Sequence, residues 1–262
     1  LQQRLVQPDS VIDTHTYTLD GDRIRDVGYY PELTMTGILQ KSSDTGVSRL
    51  SLAMPIQHLL DTYRNFGFGT NTGLGLTGES SGLLPQRKFW SQLDRATFAF
   101  GYGLMVTPLQ LAHVYATIGS YGLERPLSIT RIDPPVIGHR VMPEEIAHEV
   151  EHMMESVALP GGGGIKAAVR DYRVAVKTGT AKKIGDDGKY VDKYVAYTAG
   201  VAPASDPHFA LVVVINDPKN GDYYGGAVSA PVFSEIMGNV LRLENVKPDG
   251  LAADSDHLIV MR

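Results

Sequence analysis

The stretch Arg173-Val-Ala-Val-Lys-Thr-Gly-Thr-Ala-Lys182 brings an ammonium, two hydroxyls and a glycine to the end of a β-branched run. An ammonium flanked by hydroxyl donors suits a carboxylate, with Lys177 supplying charge and Thr178 and Thr180 supplying directed hydrogen bonds. Val174 and Val176 alternate with Ala175 and Lys177, which predicts a strand with one face on a core and Lys177 on the other face. Gly179 removes a side chain where a ligand could lie against the backbone. An open strand edge can pair with an extended peptide, so the chemistry expected here is capture of a peptide-like acid. Upstream, Ser42-Ser43-Asp44 gathers two hydroxyls and a carboxylate into three residues.

Residue pattern also predicts the elements that hold these groups. Thr14 to Leu19 reads as an exposed strand, and Asp20-Gly21-Asp22 as a hairpin turn into Arg23–Val27. Leu33 to Leu39 begins a helix that leads to Ser42. Leu50, Leu52 and Ala53 continue an apolar pattern until Pro55, which opens another helix through Phe66. Gly67–Gly75 follows a helix and lacks Gly-Lys-Ser/Thr, so it is a turn-rich connection and not a phosphate loop. Thr107 caps a helix with Pro108 in its first turn and Gly119 as its stop, and Leu111, Val114, Tyr115 and Ile118 share its inner face.

From Pro143 to Val157 a further amphipathic helix turns Ile146, Val150, Met153 and Met154 inward. His148, His152, Glu144, Glu151 and Glu155 read as its solvated face, not as metal ligands. Pro160–Gly164 is a hinge or tight loop. Tyr194–Val201 alternates, whereas Phe209–Ile215 is a continuous apolar run suited to the centre of a sheet covered on both faces. Asp186-Asp187-Gly188 and Ser205-Asp206-Pro207 are hairpin tips, so the strands around them are antiparallel. A helix from Ala230 to Leu243 closes the domain, expected to span 1–246, and a polar tail, 247–262, follows. The fold class is α+β, an antiparallel sheet flanked by helices.

Of the 262 residues 43% are hydrophobic and 20% charged, ordinary globular usage. A net charge of −5 without a basic block gives nucleic acid no footprint. The absence of cysteine excludes disulfides and thiol catalysis. The longest apolar run, Phe209–Ile215, is too short to span a bilayer. No feature calls for a cofactor or a metal.

Lys177-Thr-Gly-Thr-Ala, Tyr197-Thr-Ala-Gly-Val-Ala-Pro203, Tyr223-Tyr-Gly-Gly-Ala-Val-Ser-Ala-Pro-Val-Phe233, Phe100-Gly-Tyr-Gly and Met153-Met-Glu-Ser-Val-Ala-Leu-Pro-Gly-Gly-Gly-Gly164 form a specific set. Together they resemble the class B penicillin-binding proteins of bacterial cell division, the septal peptidoglycan D,D-transpeptidases of the penicillin-binding protein 3 type. The resemblance implies a serine β-lactamase-like transpeptidase fold, an acyl-enzyme cross-linking D-alanyl-D-alanine stem peptides, and β-lactams as covalent inhibitors. By motif match Ser42 relays a proton to the leaving amine and Asp44 positions the substrate amide, with Ser43 beside them. Lys177 sustains the electrostatics of that relay, Thr178 and Thr180 hold the terminal carboxylate, and the Thr180 N–H serves an oxyanion hole. Gly179 admits the peptide, while Tyr102, Tyr223 and Tyr224 flank the cleft. Full-length relatives carry an N-terminal membrane anchor, face the periplasm from the inner membrane, and work with a glycan polymerase and other division proteins.

Two departures stand out. No serine in the chain is followed three residues later by lysine, so the family's S-x-x-K nucleophile element is missing and the chain alone is expected to be inactive. The family triplet ends in Asn where this chain has Asp44, and an ionised carboxylate cannot donate to a substrate carbonyl. Rival readings are a β-lactamase or D,D-carboxypeptidase of the same fold, and a non-catalytic β-lactam sensor or scaffold.

Overall fold

The structure is a computed structural model in which residues 1–219 and 221–250 are described. Along the chain come β1 (Val11–Asp13), β2 (Tyr17–Leu19), β3 (Asp22–Ile24), β4 (Glu32–Thr34), α1 (Met35–Lys41), α2 (Asp44–Leu52), α3 (Ile56–Asn65), α4 (Gln92–Ala99) and α5 (Pro108–Gly119). Then follow β5 (Leu123–Glu124), β6 (His139–Arg140), α6 (Glu144–Glu155), β7 (Ala175–Ile184), β8 (Tyr190–Ala202), β9 (Phe209–Asn216), α7 (Gly225–Val228) and α8 (Ala230–Leu243). The predicted hairpin is present as β2 and β3, with Asp20 and Gly21 both at positive φ as a tight hairpin turn requires. Leu33 belongs to β4, which pairs with β1, so the helix before Ser42 starts two residues later than the apolar pattern suggests.

Local chemistry sets the helix starts. Thr34 Oγ1 accepts from Gly37 N at the head of α1. Thr107 and Gln110 form a reciprocal capping box on α5, with Pro108 in the first turn as expected. Pro55 lies at the N-cap of α3, just outside the helix.

The main sheet has order β7-β8-β9, antiparallel throughout, with Thr180 opposite Ala196 and Lys177 opposite Ala199. Helix α8 covers one face, where Phe233, Met237 and Leu241 meet Val174, Val176 and Val213. Each of these large side chains contributes roughly 1.5–3 kcal/mol through burial. The other face carries Ala175 and Val201 against Met154, with Tyr115 and Val150 beside them. Both faces of β7 are therefore core at its start, and the expected alternation of a buried and an open face sets in only from Lys177. The central strand is β8, not β9. The apolar run Phe209–Ile215 is sandwiched between α5 and α8 but pairs on one edge only among the described residues, and its Val214 is 36% exposed. A continuous apolar run reports two covered faces and says nothing about the edges.

Helix α6 departs from its expected polarity. Glu151 is 3% exposed, Glu155 forms a two-pronged pair with Arg173 at 2.7 and 2.8 Å, and His148 stacks on Tyr121. The face read as solvated is in part an interface, because the chain entering β7 at Arg173 crosses it. Beyond α8, Asp249 accepts from the backbone N–H groups of Arg173 and Ser205. The remainder of the expected tail, 251–262, lies outside the described residues.

Candidate active site

A cleft of about 750 Å³ lies between the edge of β7 that is unpaired among the described residues and the α1–α2 turn. Ser42, Ser43, Asp44, Tyr102, Lys177, Thr178, Gly179 and Thr180 all line it. Lys177 comes from β7, whose pairing with β8 fixes its backbone. Its Nζ donates to Ser42 Oγ at 2.8 Å, across 135 residues of chain, and to the Thr178 carbonyl at 2.8 Å. Ser42 thus accepts from the ammonium and keeps its own proton for a partner in the cleft.

Ser42 sits at the C-terminus of α1 with φ 57°, a left-handed conformation that costs a non-glycine residue about 1–2 kcal/mol. The conformation turns the chain directly into α2, which Ser43 caps by accepting from Gly46 N at 3.0 Å. Asp26, just beyond β3, holds this turn. Its carboxylate accepts from Ser43 Oγ at 2.6 Å and from Thr45 N at 2.8 Å, and lies 2.9 Å from Thr45 Oγ1. Ser43 was expected at the substrate, but its hydroxyl proton is committed to Asp26. Neither spacing nor composition singles out Asp26, because its partners lie 17 and 19 residues further along.

Burial dominates the electrostatics. It pushes the Asp44 carboxyl up to about 6, helped by Asp26 and opposed by Lys177. It also pulls the Lys177 ammonium down to about 8, with Asp44 opposing. Between those values the two carry opposite charges, and a proton can leave Lys177 at little cost near neutral pH.

Thr180 Oγ1 accepts from Gly225 N at 2.9 Å, leaving its proton available to a ligand. A buried pair, Thr198 and Ser229, fixes that contact from below, since Ser229 Oγ is 2.8 Å from Thr198 Oγ1 and 2.9 Å from the Gly225 carbonyl. Gly179 has a different reason from the expected one: a Cβ there would overlap the ring of Tyr197, so the missing side chain makes room for an aromatic floor. Tyr102 lines the cleft and packs edge-on against Tyr190 at 5.1 Å. Tyr223 and Tyr224 do not line it. They stack on one another, with Tyr223 also on Tyr194 at 4.0 Å, immediately before the glycine that contacts Thr180. Among the described residues no three His, Asp or Glu side chains converge on a metal-sized site.

A lysine on an edge strand bonded to a serine at a helix junction, with hydroxyls along the edge, is equipped to hold an acidic ligand and to move a proton beside it. Residues 1–238 match the family of the penicillin binding protein transpeptidase domain, and the chain belongs to that family. It is 65% identical over 261 residues to the peptidoglycan D,D-transpeptidase FtsI of Escherichia coli strain K12, covering all of this chain and 44% of that protein. It is 39% identical over 238 residues to the probable peptidoglycan D,D-transpeptidase PenA of Neisseria gonorrhoeae, covering 90% of this chain and 41% of that protein. The apo transpeptidase domain of Burkholderia pseudomallei penicillin-binding protein 3 superposes with a TM-score of 0.89 at 36% identity, covering 95% of this chain and 76% of that one. The chain spans less than half the length of each of these two curated relatives.

Proposed function

We propose that this chain is the substrate-gripping part of a septal peptidoglycan D,D-transpeptidase, and that its parent is the covalent target of β-lactams. The observation that carries the reading is the 2.8 Å bond from Lys177 Nζ to Ser42 Oγ across the cleft. A stem peptide pairs with the cleft edge of β7, its terminal carboxylate on the hydroxyls of Thr178 and Thr180 and in the field of Lys177. The nucleophilic serine belongs to an S-x-x-K element that this sequence does not contain. That serine, giving its proton to the lysine of the same element, bonds to the penultimate carbonyl carbon, with the oxyanion on the Thr180 N–H and the serine's own N–H. The C–N bond to the terminal D-alanine breaks as Ser42 delivers a proton to the departing amine and Lys177 replenishes it. The amine of a second stem peptide then displaces the serine, giving the cross-link.

The working site of the parent is the periplasmic face of the inner membrane, alongside a glycan polymerase and other division proteins. Among the described residues no helix is long and apolar enough to cross a membrane. The test is labelling with a fluorescent penicillin. The full-length parent with an intact S-x-x-K is expected to form a covalent adduct, and the present chain none. An unlabelled parent, or a labelled isolated chain, would overturn the reading.

A further inference from the structure

The Pro160–Gly164 loop touches both sides of the cleft without lining it. On the helical side, Gly163 N donates to the Gln40 carbonyl at 3.1 Å, and Gln40 Nε2 donates to the Ser156 carbonyl at 3.1 Å. Lys41 Nζ donates to the Gly161 carbonyl at 2.7 Å. Gln40 and Lys41 are the two residues immediately before Ser42.

On the sheet side, a Cβ at Gly164 would lie 3.2 Å from Thr178 Cγ2, and one at Gly226 would overlap the Gly163 carbonyl oxygen. The loop is rigid by construction of its own turns. Gly162 N donates to the Leu159 carbonyl at 2.9 Å, Gly164 N to the Val157 carbonyl at 3.0 Å, and Gly161 takes φ +87°. A Cβ at Gly162 would overlap the Val157 carbonyl, and one at Gly163 would lie between the Gln40 carbonyl and Thr178 Oγ1 at 3.8 and 3.9 Å, so at Gly163 the loop is a spacer between the end of α1 and the residue after Lys177.

We propose that this loop is a clasp that sets the separation of Ser42 from Lys177, and that Gln40 is the positioning residue through which it acts. The inference rests on the transpeptidase reading above and names the part of the fold that holds its proton relay in register. The lysine cannot do this itself. Its four-carbon stem is flexible, so one bond from Nζ holds a hydroxyl but does not fix the helix that carries it. The bond from Gly163 N to the Gln40 carbonyl, together with that from Gln40 Nε2 to the Ser156 carbonyl beside the loop, does. Ser42 also occupies a left-handed conformation, which persists only where the surrounding structure over-determines it. Asp26 restrains the turn from its C-terminal side and the clasp from its N-terminal side.

The experiment is the rate of labelling by a fluorescent penicillin in the full-length parent, measured from pH 5 to 10 together with the melting temperature. Gln40→Ala removes the side-chain bond to Ser156, and Gly163→Leu drives a wedge into the gap between α1 and β7. Displacements of about 1 Å in such sites lower rates by up to about 100-fold. Each variant is therefore expected to label roughly 10- to 100-fold more slowly per folded molecule. The alkaline limb should move to lower pH, because an ammonium that loses its serine partner gives up its proton more readily. Should either variant prove unstable, the other carries the test. Unchanged rate and pH profile per folded molecule in the folded variants, whether or not the melting temperature falls, would reduce the loop to a structural turn and overturn the proposal. Failure of the unaltered parent to label would overturn the transpeptidase reading and this inference with it.

Discussion

The two walls of the cleft are built from different materials. The wall that carries Lys177 and Thr180 is a ten-residue strand paired along its length with β8 and backed by Val174, Val176 and α8. The wall that carries Ser42 and Asp44 is a helix junction whose geometry depends on side-chain bonds from Asp26 and backbone bonds to a glycine loop. Apolar packing and a strand ladder spread restraint over many residues, whereas a polar turn concentrates it on a few. Losses on the sheet wall should therefore appear in stability, and losses on the helical wall in catalysis.

Lys177 is the exception that makes this comparison testable, since it stands on the robust wall but reaches into the fragile one. Lys177→Met in the full-length parent should reduce fluorescent penicillin labelling by about 1,000-fold, within the range attributed to a positioned acid or base. The strand should survive, because a desolvated ammonium gives way to an apolar side chain of similar length. A labelling rate within tenfold of the unaltered protein would remove Lys177 from the chemistry.

Asp26→Ala probes the opposite wall. It strips two short hydrogen bonds and leaves the buried Ser43 hydroxyl and Thr45 N–H without their acceptor, a loss of about 2–4 kcal/mol. Labelling per folded molecule should fall roughly 10- to 100-fold as the Ser42 turn relaxes. The matching change on the sheet wall, Val213→Ala, should cost comparable stability, measured by thermal unfolding, and leave labelling per folded molecule unchanged. Equal effects of the two on labelling would erase the distinction between the walls.

The same contrast explains what could be read in the sequence. Lys177, Thr178 and Thr180 were legible because a strand announces itself through local alternation and its neighbours through hairpin tips such as Asp187-Gly188. The helix Ala230–Leu243 was legible for the same reason, to the residue. The Ser42 triplet was recognisable as a motif, but the turn that presents it was not, because Asp26 and the Gly161–Gly163 loop reach it from distant segments. Gly179 was read as room for a ligand, and its neighbour proved to be Tyr197, a cross-strand partner that only the register reveals. The edge position of β9 was hidden likewise, since hydrophobicity records faces and pairing order is a property of the whole sheet.

Asp44 offers a finer probe of the helical wall. Below about pH 6 it is protonated and resembles asparagine in charge; above that it places a negative charge in the cleft that repels an incoming acid. Asp44→Asn in the parent should therefore label at the same rate as the unaltered protein at pH 5. At pH 7 it should label faster by about 3- to 10-fold, as expected for one partly screened charge. Taking the ratio of the two rates at each pH cancels titrations that do not depend on Asp44, leaving those of Asp44 itself and of groups in its field such as Lys177. A ratio that stays flat from pH 5 to 8 would mean that the carboxylate does not face the ligand.

The smallest effect belongs to the sheet wall and should leave the chemistry untouched. Glu151 is buried beside Arg173 with Oε1 lacking a hydrogen-bond partner among the described residues, and burial together with Glu155 pushes its carboxyl up to about 8. The folded state therefore holds this proton more tightly than the unfolded chain does between pH 4.5 and about 8. Stability must fall as pH rises through that window and level off above it. Glu151→Gln keeps the shape and removes the titration. Its melting temperature should match that of the unaltered protein at pH 4 and exceed it at pH 8.5, the gap opening across that window. A difference independent of pH would show that the carboxyl is solvated. Labelling per folded molecule should be the same in both, because Glu151 does not line the cleft.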